Sequence, residues 1–358
     1  MDRWSADKAN AWWATQGWVC GFNYLPSSSV NFLEMWHVDT FDRDTIAREL
    51  GWACDLGFNA LRVNLHYLIW RHDPDGLIAR LEWFLQTAFD LGLNTVPCFF
   101  DDCGFGGFEP EYGPQPDPTP DVHNSRAVAS PGRASLLDGN EWDGYETYVR
   151  DITRAFARDE RVLFWDLYNE PGNRMVFEAT GSRQYEPDFS ARSHKLMQDS
   201  FAWCRSEGPV QPVTVGAWVT PLPGSTDAPY RTAIDQDALA LSDIITFHAY
   251  WDCAHVAQFI DHLEKLNRPM LCTEWMARPI GSRIDGQLDL FHARNVGCFQ
   301  WGLVKGRTQT HLPWPADLVA AHGGEADRTI WFHDLLDENG QPYDMSEVEK
   351  VRQLSGRV

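Results

Sequence analysis

The chain has 358 residues, 44% hydrophobic and 23% charged, enough apolar material for a substantial core in one large domain or two ordinary ones. Its 30 basic and 51 acidic residues leave a formal charge of −21, which repels nucleic acid and an anionic membrane surface alike. No apolar run approaches the length that spans a bilayer, and the polar start Met1-Asp2-Arg3-Trp4-Ser5 lacks the apolar core of a secretion signal, so a cytoplasmic protein with reduced thiols is expected.

In chain order, a first apolar strand reads at 18–24. A helical pattern over 43–56, ended by Gly57, leads to a second strand at 59–65, and another over 77–91, ended by Gly92, leads to a third at 93–100. The connection over 101–140 carries Pro110, Pro114, Pro116, Pro118, Pro120 and Pro131; connections this long are functional or disordered. Helices at 142–158, 190–207, 235–241, 254–266 and 286–293 then alternate with strands at 162–168, 213–218, 244–250, 269–275 and 297–303. Eightfold strand–helix alternation predicts parallel strands closed into an α/β (β/α)8 TIM barrel, with an open doubly wound sheet as the alternative. One domain over 1–358 is expected, with the barrel core at about 18–303 and a closing segment at 304–358. The long connections after strands three, five and eight all fall on the barrel's C-terminal face, the active face of this architecture.

Polar residues gather at the C-terminal ends of these strands. Side-chain alternation puts Arg62, Asn64 and His66 on one face of strand two, and His248 and Tyr250 on one face of strand six. Strand four ends in Asn169-Glu170-Pro171, Glu274 nearly ends strand seven, Asp101 follows strand three and Trp301 lies on strand eight. Two carboxyls on strand ends of one barrel suit glycosidic cleavage with retention, where one attacks the anomeric carbon and the other exchanges protons from about 5–5.5 Å away. The nucleophile must stay ionised, which an adjacent Arg62 and a hydrogen bond from Tyr250 favour, while the acid must hold its proton. Asn169 is placed to bond a sugar 2-hydroxyl.

Asn169-Glu170-Pro171, His248-x-Tyr250, Glu274, Trp301 and Arg62 together resemble the clan A retaining glycoside hydrolases, nearest to the cellulase-like family 5 enzymes and the catalytic barrels of family 2. The resemblance covers roughly 18–303. It implies Glu170 as acid/base, Glu274 as nucleophile, and Arg62, Asn169, His248, Tyr250 and Trp301 as supporting residues, acting on β-linked gluco-, manno- or xylo-configured sugars. His66 and Asp101 are further candidates for substrate contact. The proline-rich 101–140 connection and the strand-seven context Cys272-Thr273-Glu274-Trp275 depart from familiar family 5 members.

Each residue also has a plainer reading. Glu170 can cap a following helix, Arg62 can pair with Asp166 on the same interior face, His66 and His248 can be core histidines, and Asp101 and Asp102 can fix a loop. His123 and Asn124 read as a solvated loop tip, and 329–343 as a segment packed on the barrel. The histidines show no metal-ligand spacing and the Gly104-Phe105-Gly106-Gly107 run does not open a helix, so no cofactor and no metal are expected. The expected partner is an oligosaccharide or glycoside, with no nucleic acid and no membrane. An exo-acting hydrolase is favoured; an endo-β-1,4-glycanase, a transglycosylase and a non-catalytic carbohydrate-binding barrel are the alternatives.

Overall fold

The computed structural model describes residues 2–356. Eight parallel strands form the barrel: β1 (Cys20–Asn23), β2 (Ala60–Asn64), β3 (Asn94–Asp101), β4 (Trp165–Asn169), then, after a two-stranded hairpin of β5 (Met175–Glu178) and β6 (Gly181–Gln184), β7 (Val213–Thr214), β8 (Ile245–His248), β9 (Met270–Trp275) and β10 (Gly297–Trp301). Their order is β7-β4-β3-β2-β1-β10-β9-β8, and a parallel bridge between Ala217 and Phe247 joins the two edges. The (β/α)8 barrel expected from the sequence is therefore the fold, with long loops on its C-terminal face. Several strands are shorter than the apolar runs that announce them; β7 keeps two ladder residues before the chain bends away.

Helices form where sequence supplies both a stripe and a stop. The helix Arg43–Leu56 starts at Asp42, whose side chain accepts from the Thr45 N–H, and ends at Gly57, whose φ of 96° a side chain would strain. Pro74–Asp90 starts one turn earlier than expected, because Asp73 caps it and Pro74 occupies the first turn, where a missing N–H costs nothing. The amphipathic Trp142–Phe156 buries Tyr145, Tyr148, Val149 and Ile152 against the sheet.

The barrel interior has two storeys. Below, Ala60, Val96, Phe164, Leu271 and Phe299 close the bore with Val19 and Ile244, and the N-terminal helix Ala6–Trp13 seals the end with Trp13. Above lie Arg62, Asp166, Asn169 and Glu274, all buried. Strict alternation breaks where the upper storey begins. Asp166 and Asn169, three apart on β4, both reach Arg62. In β9 the register slips by one residue around Thr273 against both neighbours, a bulge that turns Glu274 inward although Cys272 packs outward among the helices.

Two of the expected segments take definite form here. The 101–140 connection is an ordered wall: Asp101 and Ser130 pair through both backbone bonds (2.8 and 2.7 Å), and a helix spans Arg133–Asp138. The closing segment adds the helix Met345–Ser355, tied to the barrel by the buried pair Arg278–Glu347. Among the described residues, no helix is long and apolar enough to cross a membrane.

Candidate active site

The site is built around Arg62. Its Nε donates to Asp166 on β4 (2.8 Å), Nη1 to Asn23 Oδ1 on β1 (2.9 Å) and to Glu274 Oε1 on β9 (3.0 Å), and Nη2 to Asn169 Oδ1 (2.8 Å). A guanidinium cannot shed its charge inside a protein, so burial requires anions beside it. Burial opposes its charge, but Asp166 and Glu274 more than offset that and hold its pKa above the ordinary value. The ion pair with Asp166 and the contact with Glu274 coexist in one side chain.

The two carboxyls differ in their company. Glu274 receives Arg62 on Oε1 and the Tyr250 hydroxyl on Oε2 (2.9 Å). Among the described residues, Glu170 touches no arginine or lysine; Asn173 Nδ2 donates to its Oε2 at 2.6 Å, the Cys103 thiol lies 3.1 Å from the same oxygen, and His248 Nδ1 is 2.8 Å from Oε1. His248 Nδ1 also stands 3.5 Å from Glu274 Oε2. One oxygen of each carboxyl and a His248 nitrogen all lie within 4.8 Å of one another. These three side chains also have the spacing of a metal-ligand group, although hydrogen bonding alone accounts for their approach.

Burial pushes both carboxyls above their usual range, Glu274 to about 7, and each disfavours the charge of the other. Two such groups titrate as a pair and together retain one proton. Arg62 and Tyr250 stabilise the anion on Glu274, so the retained proton belongs on Glu170. Burial holds His248 below the usual histidine range, leaving a neutral imidazole between them.

Glu170 has a φ of 45°, and no helix follows it for its side chain to cap. The chain instead turns, with the Asn173 N–H donating to the Glu170 carbonyl (3.0 Å), and enters β5. Such a left-handed conformation is strained for a residue with a side chain. Asp102 anchors the turn by accepting from the Gly172 N–H (2.6 Å), Tyr168 (2.9 Å) and Ser193 (2.6 Å), a loop-fixing role.

The remaining expected residues separate. Asp101 lines the pocket and accepts from Asn64 and Asn169, both at 2.9 Å. Trp301 is partly exposed on the pocket wall. His66 does not line the pocket: β2 ends at Asn64 and the chain turns into the helix Tyr67–His72, which His66 caps by accepting from the Leu68 N–H (3.1 Å). Burial depresses its pKa to about 3. His123 and Asn124, read as a solvated tip, are folded inward, buried and part of the wall, with His123 Nδ1 2.7 Å from the Leu312 carbonyl.

Other pocket residues were not singled out from sequence. Asn23 ends β1 as Arg62 nearly ends β2, so the polar-strand-end signal was available; its Nδ2 donates to the Thr273 carbonyl (2.9 Å) and braces the bulge beneath Glu274. Cys103, Asn173 and Asp334 sit in irregular segments with no periodicity to mark them, while His333, read as part of the 329–343 segment packed on the barrel, also lines the pocket.

No protein-family model and no curated protein matches this chain. Solved structures do. GH5_18 from Streptomyces cattleya, in complex with GlcNAc, superposes with a TM-score of 0.60 at 13% identity, covering 96% of this chain and 82% of that one. The exo-beta-1,4-mannosidase Op5Man5 from Opitutaceae bacterium strain TAV5 gives 0.61 at 18% identity; the match covers 95% of this chain and spans 60% of that one. The hyperthermostable endo-1,4-beta-D-mannanase from Thermotoga petrophila RKU-1 gives 0.55 at 13% identity, over 96% and 100% of the two chains. At such identities, what this protein shares with them is the barrel fold.

Proposed function

We propose that this protein is a retaining β-glycoside hydrolase of the clan A, family 5 type, with Glu274 as nucleophile and Glu170 as acid/base. The carrying observation is the pair itself: two buried carboxyls on strand ends, with oxygens within 4.8 Å, only one of them bonded to an arginine and a tyrosine. So close an approach of the oxygens supports the retaining arrangement, whose carboxyls stand about 5–5.5 Å apart, over the inverting one, whose pairs stand about 6.5–9.5 Å apart to admit water.

In the first step Glu274 attacks the anomeric carbon while Glu170 gives its proton to the departing glycosidic oxygen. The Glu274 charge is consumed as the glycosyl–enzyme bond forms, and Glu170 becomes the anion that deprotonates water in the second step. Arg62 and Tyr250 hold the Glu274 carboxylate in place and stabilise it again as it leaves. Asn169, fixed by Arg62 and Asp101, is the candidate contact for the sugar 2-hydroxyl, and Trp301 offers an aromatic face for the ring.

The cavity, about 370 Å³, favours action at a chain end. Phe32, His123, Phe177, Trp218, Trp314 and His333 wall it from loops after different strands, enclosing a pocket where an endo-acting enzyme needs an open groove. The substrate class is a small β-linked oligosaccharide of gluco-, manno- or xylo-configuration. β-Mannosides come first in a screen, because the neighbours include an exo-mannosidase and a mannanase.

Azide rescue tests the assignment once that screen has supplied an aryl glycoside. Glu274→Gly with azide is expected to release the glycosyl azide of inverted configuration, and Glu170→Ala the retained one. An inverted azide from the Glu170 variant reverses the two roles, and full activity in both Glu→Gln variants sinks the catalytic reading in favour of a binding barrel.

A further inference from the structure

Glu170 is gripped by donors whose orientation the surrounding bonds dictate. Asn169 accepts from Arg62 through Oδ1, so its Nδ2 must face Asp101 Oδ1 (2.9 Å) and Cys103 Sγ (3.4 Å). Asn173 accepts from the Met175 N–H through Oδ1 (2.8 Å), so its Nδ2 must face Glu170 Oε2 (2.6 Å) and Cys103 Sγ (3.5 Å). An amide nitrogen has hydrogens only to give. Both amides therefore donate toward the sulfur, and the one thiol proton is left with Glu170 Oε2 at 3.1 Å. The Cys103 N–H donates to Asp101 Oδ1 (2.8 Å), which fixes the residue from its backbone.

We propose that Cys103 is a positioning residue for Glu170, its thiol proton setting how readily that carboxyl gives up its own. This rests on the reading of Glu170 as acid/base. With Asn173 and Cys103 both donating to Oε2, the transferable proton is confined to Oε1, beside His248. A donor on a carboxylate favours the ionised form, opposing the burial that favours the neutral one. The thiol is a weak donor, so it tempers the acid without stripping it of its proton at neutral pH. Two amides donating to the sulfur polarise the S–H bond and strengthen its one donation.

Several other groups face Glu170. Arg62 comes from β2, Asp101 from the end of β3, His248 from β8 with Tyr250 just beyond it, and Glu274 from β9. All remain in a Cys103 variant, so a difference between variants reports on the thiol.

The test is a titration that needs no substrate. The full chain is labelled with 13C at the glutamate carboxyl carbon, and the Glu170 resonance is identified by its absence from Glu170→Gln. Cys103→Ser, with a stronger donor, is expected to lower the Glu170 midpoint by about 0.5 pH unit, and Cys103→Ala, with none, to raise it by about 1. A loss of packing moves both variants the same way. Shifts of equal sign, or no shift in either, overturn the proposal. Turnover of Glu170→Gln is measured separately, so failure of the acid/base reading is distinguished from failure of this one.

Discussion

The two storeys of the barrel share eight strands and differ in almost everything else. The lower one is closed by Val96, Phe164, Leu271 and Phe299, whose buried side chains belong to one apolar cluster. The upper one buries Arg62, Asp166, Glu170 and Glu274 in the same bore, with strand register broken around Thr273 and a strained turn at Glu170. Apolar packing and buried charge are thus separated along the barrel axis. A buried ion cluster contributes little net stability against the cost of desolvating it, so the lower storey and the helix layer carry the fold while the upper one holds unfavourable groups in place.

The sharpest way to probe that division is to remove one member from each storey. Glu274→Gln is expected to lower turnover on the order of 10⁴-fold or more while the far-UV circular dichroism spectrum stays unchanged. Phe299→Ala should do the reverse, costing about 3–5 kcal/mol in denaturant unfolding with kcat nearly unchanged per folded molecule. A comparable loss of kcat in the Phe299 variant would falsify the separation. Arg62→Met, in the upper storey, should affect both properties: it strands Asp166 and Glu274 without a counter-ion, with an expected cost of about 3–5 kcal/mol together with loss of activity. Tyr250→Phe removes one donor to Glu274, and kcat/KM should fall about 10–10²-fold.

The smallest effect lies in the pH dependence of stability. The buried Glu170–Glu274 pair, raised by burial and by the repulsion between its members, holds one proton more tightly than carboxyls of an unfolded chain, which titrate at about 4.3. Protons are then held more tightly in the native state, so this contribution is complete below about pH 4 and is lost as pH rises through about 7. The melting temperature of Glu274→Gln relative to the parent should therefore rise between about pH 4 and about pH 8. A difference that is flat or falling across that window contradicts the burial argument. Turnover should fall on both sides of its optimum, on the acid side as Glu274 is neutralised and on the alkaline side as Glu170 loses its proton.

How much of this could be read from the chain depends on how local each signal is. Eight apolar runs separated by capped helices specify a barrel, because strand and helix periods and the Asp42, Gly57 and Asp73 signals act over a few residues. The strand-end polar groups, Arg62, Asn169, Glu170, His248 and Glu274, were legible for the same reason. His66 was misplaced because alternation was extended past the end of β2, where the chain had already entered a helix. His123 and Asn124 looked solvated because nothing nearby in sequence shows that Asn124 donates its N–H to the Thr308 carbonyl (2.8 Å) or that His123 packs near His333, with rings 5.3 Å apart.

The sequence by itself determined the barrel, the face that carries its long loops and the residue types that meet there. Only the tertiary structure decided which way Glu274 points, since the bulge at Thr273 is set by pairing with β8 and β10 and by the Asn23 amide that braces it. It also decided that Cys103 and Asn173 converge on Glu170, because an irregular segment is positioned by contacts with distant residues and carries no period from which to read its direction.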